Sequence, residues 1–453
     1  MSRAISNKLD IFIVSSAFFL EVLDATIFPP VLIDISDDLK SSIGITTVSI
    51  ASYIFSLAIF TPLNSIFFPK SRVKKKFVIG LIIFFVASFL CSISPDIYFL
   101  SINRMLQGFG SALVVPIGRA LVLGKTEKED IPIVMTYLIW PALSAPVIAP
   151  IIGGYITQYY NWRFIFYFIL LFSLIISIIS MKFLSNEKVF FKRSDKIGFL
   201  SYLNWFFLVF SVFSFFAFVT NNYIIGVLFS GCILFCVLYF VLSHKNKMFD
   251  SDLLSNSFFR MNIFYGSFFR VAIYCFPVFL VLSLMSTFDY TPLTSSICIV
   301  FIFIGNILSK FIAAKILSRT KNIKIYFSIS SFMVFLSVLC FFYKGIYSES
   351  IFVYLLCFIH GVARSFLFLG YSSVAFYRME KDNLYKANTI NNSVMQLNSM
   401  IGQLIPSLLF TLIDVNENGF MYLYIYIFIV CSLLFIPFIN SFFIKNEGHD
   451  SNS

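Results

Sequence analysis

Two carboxylic acids, Glu21 and Asp24, fall in the middle of the first long apolar stretch of the chain. Moving a carboxylate into hydrocarbon is costly, so an acid retained there is a functional candidate. Spaced i, i+3, the two share one helix face, a turn apart. Four bases lie in other apolar stretches: Arg104, Arg270, His360 and Arg364. Burial and a nearby cation act in opposite directions on a carboxylate's affinity for protons. A buried acid that meets and leaves an arginine therefore suits reversible proton binding coupled to helix movement. The competing reading is a static buried ion pair that fixes helix packing.

Such groups need elements that hold them at membrane depth. The chain has 453 residues, 59% hydrophobic and 12% charged, whereas soluble domains carry about a quarter charged residues. Apolar runs recur at lengths that cross a ~30 Å hydrocarbon core as helices. The ~10-residue alternation of a membrane β-barrel does not appear. Fourteen spans are expected, at roughly 11–33, 43–67, 77–94, 98–123, 131–157, 162–184, 198–219, 222–242, 260–285, 292–314, 324–343, 351–376, 387–413 and 420–444. The first is too long for a cleavable signal and no small-residue cleavage site follows it, so it is expected to stay as a span.

Lysines and arginines cluster in alternate loops, at Lys70, Arg72 and Lys74 after span two and at Lys188, Lys192, Arg193 and Lys196 after span six. The opposite loops hold only Lys40 and Lys344. This asymmetry predicts cytoplasmic termini and an inner-membrane, multi-pass protein. It also accounts for the net charge of +11 without nucleic acid as a partner. Spans seven and eight are joined by a very short turn and bounded by the longest polar loops. The expected plan is an N-terminal six-helix bundle (1–190), a two-helix insert (191–250) and a C-terminal six-helix bundle (251–453), two pseudo-symmetric bundles around a central cavity working by alternating access.

At ~1.5 Å per helical residue, Glu21 lies ~15 Å and Asp24 ~20 Å from the cytoplasmic edge. Arg104, on a span running the other way, also lies ~20 Å from that edge. Arg270 falls ~15 Å in, and His360 and Arg364 fall ~14 and ~20 Å from the outer edge. His360 and Arg364 are i, i+4 on one face. These three bases suggest an anionic group on the substrate or partners for the first-half acids, and both remain open. Arg119 and Lys310, near cytoplasmic helix ends, are read as snorkelling. Of the eight cysteines, Cys232 and Cys236 share a helix face and read as small core residues. Neither a disulfide framework nor a zinc pattern is present, and no metal site is expected.

Val22 to Ile27, centred on Asp24, resembles the first-span signature of drug:proton antiporters of the major facilitator superfamily. Arg104-Met105-Leu106-Gln107-Gly108-Phe109-Gly110 is similar to the superfamily's fourth-span motif, and Val115 to Arg119 continues it as in the MdtD-like branch. Ala145-Pro146-Val147-Ile148-Ala149-Pro150-Ile151-Ile152-Gly153-Gly154 resembles the fifth-span antiporter motif, and Asn161 to Phe166 the aromatic entry to span six. The chain thus resembles the fourteen-span EmrB/QacA-type family over essentially its whole length, most strongly from 20 to 170. The resemblance implies an all-α fold of two six-helix bundles plus a two-helix insert. It implies proton coupling through Asp24 and Arg104, with Glu21 beside them. It gives Pro146, Pro150, Gly153, Gly154, Gly108 and Gly110 a conformational role that favours export.

Three departures stand out. The cytoplasmic loop motif is degenerate: Pro69 replaces its acid and both glycines are lost, while Lys70, Arg72 and Lys74 keep its basic character. Two fifth-span glycines are Ala145 and Ala149. Glu21 replaces a polar uncharged residue.

The leading expectation is a proton-coupled, multidrug-type exporter of small organic compounds, with Arg270, His360, Arg364 and Gln107 lining the substrate cavity. The proton gradient supplies energy and no cofactor is expected. Its partners are the small-molecule substrate, protons and the lipid bilayer; a periplasmic adaptor and outer-membrane channel remain open. One alternative is a dedicated exporter of an anionic metabolite, such as a polycarboxylate siderophore or iron-citrate. Another is a symporter importing a nutrient. An enzyme or sensor is disfavoured, because no nucleophile–base pair, phosphate loop or large soluble domain is present.

Overall fold

The computed structural model describes residues 2–62, 70–126, 130–185, 188–190, 199–221, 256–320, 322–343, 349–376, 384–412 and 415–443, with isolated positions at 231, 253, 255, 345, 347 and 379. The chain divides into two units, Met1–Met248 and Phe249–Ser453.

The first unit contains α1 (Ser2–Thr26), a 3-10 turn (Pro29–Val31), α2 (Leu32–Asp38), α3 (Ile43–Phe60) and β1 (Lys70–Arg72). It continues through α4 (Val73–Ser92), α5 (Ile97–Leu123), α6 (Ile131–Tyr159), α7 (Arg163–Phe183), β2 (Lys188–Phe190) and α8 (Phe199–Asn221). Here α1 packs on α6, α3 on α5, and α4 on both α5 and α7. Helix α8, the expected seventh span, lies against α3, where the indole of Trp205 donates to the carbonyl of Ala58 at 2.8 Å.

The second unit contains α9 (Ser257–Thr287), α10 (Pro292–Arg319), α11 (Ile323–Leu339), α12 (Ser350–Val374), α13 (Leu384–Leu412) and α14 (Val415–Phe443). Its central helix is α9, against which α13 and α14 pack, and α10 runs along α12. Its core is rich in aromatic side chains, including Phe269, Phe276, Phe279, Tyr371, Tyr422 and Tyr426. Short polar side chains start the helices where loops are tight: Asp96 accepts from the amides of Tyr98 and Phe99, and Asn256 from those of Phe258 and Phe259.

Ten described helices are long and apolar enough to cross a membrane, and the bent α1–α2 pair makes an eleventh. The expected eighth span, 222–242, with Cys232 and Cys236, lies outside the described residues. The thirteenth exists as α13 but is more polar than its neighbours. Its polar groups are matched inside the unit: Asn391 accepts from the amide of Asn262 at 2.8 Å, and Asn398 donates to Ser267 at 3.0 Å. Polar residues at membrane depth are tolerated where helices satisfy one another. Large apolar side chains left exposed, such as Ile102, Phe311 and Phe428, suit a lipid surround.

The first span differs from the continuous 11–33 helix expected. Helix α1 stops at Thr26, and the chain resumes after Phe28 at an angle of 41°. Pro29 and Pro30 explain the break, because each lacks an amide donor and its ring clashes with a continuing helix.

Close helix approach depends on glycine at two matching places. A Cβ on Gly108 of α5 would lie 2.2 Å from the Tyr53 carbonyl oxygen of α3. One on Gly361 of α12 would lie 2.0 Å from the Ile302 carbonyl oxygen of α10. Neither backbone can yield cheaply. Gly108→Ala is therefore expected to destabilise the protein by about 1–3 kcal/mol, the usual cost of overpacking. A lowered thermal midpoint of the detergent-purified protein checks this; an unchanged one contradicts the close approach.

Candidate functional site

Asp24 sits in the last turn of α1, two residues before the helix ends. Arg104 lies on α5 and meets it directly. Its Nη1 donates to Asp24 Oδ1 at 2.9 Å and Oδ2 at 2.7 Å, and to Gln107 Oε1 at 2.6 Å. The Gln107 amide closes the ring, donating to Asp24 Oδ1 at 3.2 Å and to Ser88 Oγ of α4 at 2.9 Å. Both charged side chains are 1% exposed or less. Three rings surround the guanidinium, with centroids 4.6 Å (Phe28), 4.7 Å (Tyr53) and 5.9 Å (Phe166) from Cζ. Such faces favour a cation. Tyr53 is itself held by Ser111, 3.1 Å from its hydroxyl.

The depth estimate had set Asp24 and Arg104 level, and the structure puts them in contact. Gln107, expected in the substrate cavity, bonds to both members of this pair. Ser88, Tyr53 and Phe28 were not singled out in the sequence, and Phe166 only as the end of the aromatic entry to span six. A serine, tyrosine or phenylalanine in an apolar run carries little signal without its neighbours.

Glu21 takes a different course from Asp24. Its carboxylate is half-buried and forms neither hydrogen bond nor salt bridge among the described residues, but it interacts electrostatically with Arg119. Arg119 lies over the Phe18 ring, 5.2 Å from its centroid. The snorkelling assigned to Arg119 is corrected accordingly: its guanidinium stays against α1, where an acid and a ring attract it.

The fifth-span motif forms the face of α6 that meets α1. Ala145, Pro146, Ala149, Pro150, Gly153 and Gly154 are all buried. A Cβ on Gly153 would lie 2.4 Å from the Ile27 carbonyl oxygen, so this glycine presses on the break just after Asp24. Gly110 plays the matching part between α5 and α4, its Cβ position 2.7 Å from the Gly80 carbonyl oxygen. In the degenerate loop motif, 65–69 lies outside the described residues. Lys70 and Arg72 belong to β1, which pairs antiparallel with β2 so that Arg72 faces Lys188 in register. Lys74 is half-buried in the first turn of α4.

Two clamps absent from the sequence reading tie the ends of the first unit. At one, Asp10 of α1 accepts from Lys125 at 2.8 Å and from the Ser185 amide and hydroxyl at 3.1 and 2.7 Å. At the other, Asp38 at the end of α2 accepts from the Trp162 indole at 3.1 Å and from Arg163, whose second nitrogen donates to the Ser94 carbonyl at 3.0 Å. The Asn-Trp-Arg sequence thus anchors the segment beyond the break.

In the second unit, Arg270 donates to the carbonyl of Asn262, at 3.1 Å, and to its side-chain oxygen. His360 Nδ1 lies 2.9 Å from Ser337 Oγ, with its ring on Phe276. The Arg364 guanidinium lies 5.1 Å from the Phe303 centroid. Among the described residues, no carboxylate is in ion-pair reach of Arg270, His360 or Arg364. No cluster of metal-binding side chains is found among them either.

The sequence pattern described as Major Facilitator Superfamily matches residues 14–403. The chain belongs to the Major Facilitator Superfamily. It is similar to MdtD of Pectobacterium atrosepticum, named for multidrug resistance, with 28% identity over 148 residues, 33% of this chain and 32% of that protein. MdtD of Escherichia fergusonii is 29% identical over 143 residues, 32% of this chain and 30% of its own. The alignments thus span about a third of these relatives.

Solved transporters share the fold. A bacterial homologue of the human lysosomal transporter Spinster aligns with TM-score 0.68, 10% identity and 99% of both chains covered. The peptide transporter POT gives 0.68 and 14%, covering 95% of this chain and 93% of its own. A mutant of the nucleoside transporter NupG gives 0.65 and 13%, covering 96% and 100%. This superfamily member therefore has the multi-pass helical fold that those proteins share.

Removing one partner of a buried ion pair leaves an uncompensated charge and typically costs about 3–5 kcal/mol. Asp24→Asn and Arg104→Gln are each expected to destabilise by that order, and the double variant by much less than their sum. Additive losses in a double-mutant cycle of thermal stability would refute the contact.

Proposed function

We propose that this chain is a proton-coupled antiporter that exports small organic compounds, with Asp24 as the proton-binding residue. The observation that carries the reading is the fully buried Asp24–Arg104–Gln107 ring at the end of a broken span. A proton on Asp24 removes the negative charge that holds Arg104. Arg104 keeps an acceptor in Gln107 and its three aromatic faces, so it remains solvated while the contact with α1 weakens. The change reaches the helices without relay: Phe28 lies on the break itself, Gly153 presses against Ile27, and Gln107 connects the pair to α4. Substrate affinity then differs between the two protonation states, which is the requirement for coupling.

Export is supported by the Pro146–Gly154 face, and the multidrug character by similarity to proteins named MdtD. The lysine-rich loops support an inner-membrane location with both termini cytoplasmic. The energy source is the proton gradient, without a bound cofactor.

In inside-out vesicles with an acid lumen, wild-type protein is expected to accumulate a fluorescent dye of the multidrug type. Asp24→Asn should abolish that accumulation yet retain dye counterflow at equal pH on both sides. A variant that still concentrates dye against its gradient would remove Asp24 from the coupling role.

A further inference from the structure

The two units treat their buried arginines differently. Arg104 has a carboxylate and a glutamine. Arg364 is 5% exposed, and its Nε and Nη1 have no acceptor among the described residues. An unpaired cation in a dry site is destabilising, so a protein that keeps one normally uses it.

Its surroundings are those of a binding site rather than of a packing error. The guanidinium covers one ring, Phe303 of α10. Lys310 lies seven residues further along α10, on the same helix face. It is half-buried and interacts electrostatically with Arg364. Lys310, read in the sequence as snorkelling, is thus an electrostatic neighbour of the same sign as Arg364. His360, one turn before Arg364 on α12, has a buried Nε2 with no partner among the described residues, its other nitrogen being tied to Ser337. Tyr274 of α9 interacts with Arg364 and Arg270. Arg270 is otherwise occupied by Asn262, and Asn262 by Asn391, so it serves as a fixed neighbour. Arg364 thus has Lys310 as an electrostatic neighbour and His360 one turn away on its own helix, and no described carboxylate is in ion-pair reach of Arg364 or His360.

We propose that Arg364 and Lys310 form a binding site for a carboxylate group on the transported molecule, with His360 as an additional polar contact. A carboxylate would give the guanidinium its missing acceptors and neutralise the repulsion between the two cations. The apolar walls of Phe303 and Phe276 would take the rest of an organic acid. The inference rests on the transport reading above, but not on the proton site.

The test uses full-length protein in detergent with no gradient, so a failure of proton coupling does not affect it. Citrate and benzoate are the carboxylate probes, with inorganic phosphate and neutral triethyl citrate as controls. At least one carboxylate probe is expected to raise the thermal midpoint, and triethyl citrate is not. Arg364→Gln should abolish the shift, and Lys310→Gln should weaken the binding at least tenfold. Without any probe, Arg364→Gln should unfold at a higher temperature than wild type, because an unpaired buried charge has been removed. A structural arginine would show the reverse. The proposal is overturned if neither carboxylate probe shifts the midpoint, if phosphate shifts it as much as they do, if Arg364→Gln keeps the shift, or if that variant is destabilised.

Discussion

The contact between Asp24 and Arg104 governs the first unit, because it is made where water is excluded. In water such a pair contributes little. In this interior each charge offsets the cost of burying the other, and the surroundings are arranged to keep both. Gln107 bonds to each partner, three rings cover the guanidinium, and Ser88 holds Gln107 in place. The acid lies at the end of a helix that two prolines interrupt. A change of charge there falls beside the break in the span rather than at the middle of a helix.

The rest of the unit braces that point. Gly153 brings α6 onto the Ile27 carbonyl, and Gly108 brings α5 onto that of Tyr53, so the ring around Arg104 closes tightly. Beyond the break, Asp38 is secured by Trp162 and Arg163; at the other end Asp10 is secured by Lys125 and Ser185. The ends of the unit are pinned while its centre holds the titratable group. The second unit has the same close-packing device at Gly361 but the opposite electrostatics: bases without described acids, one of them with Nε and Nη1 lacking an acceptor among the described residues. The first unit is suited to a proton and the second to an anion.

Much of this was legible in the chain. The ionisable residues announced themselves because charge in an apolar run is rare, and helix rise alone set Asp24 level with Arg104. The three rings were not legible, since any of 61 phenylalanines and 23 tyrosines could have filled them. Nor were the end clamps. Asp10, Asp38 and Arg163 sit near span ends, where charge is ordinary. The first span was expected to run through Pro29 and Pro30, because its apolar character continues past the residues that stop the helix. Lys310 and Arg119 looked alike, long bases near helix ends, and only their neighbours distinguish them: an acid at electrostatic range and a ring for Arg119, a second cation for Lys310.

The sequence by itself determined the membrane-spanning helical class, the alternation of charged and bare loops, the superfamily motifs and the short set of buried charges. Those follow from composition and period, which act residue by residue along the chain. Tertiary structure decided which charges are satisfied. Asp24 and Arg104 are 80 positions apart in sequence, and Arg364 and Lys310 more than fifty. Whether such groups meet an opposite charge, a ring or a like charge depends on helix rotation and on the glycines that set helix separation, and no local pattern encodes either.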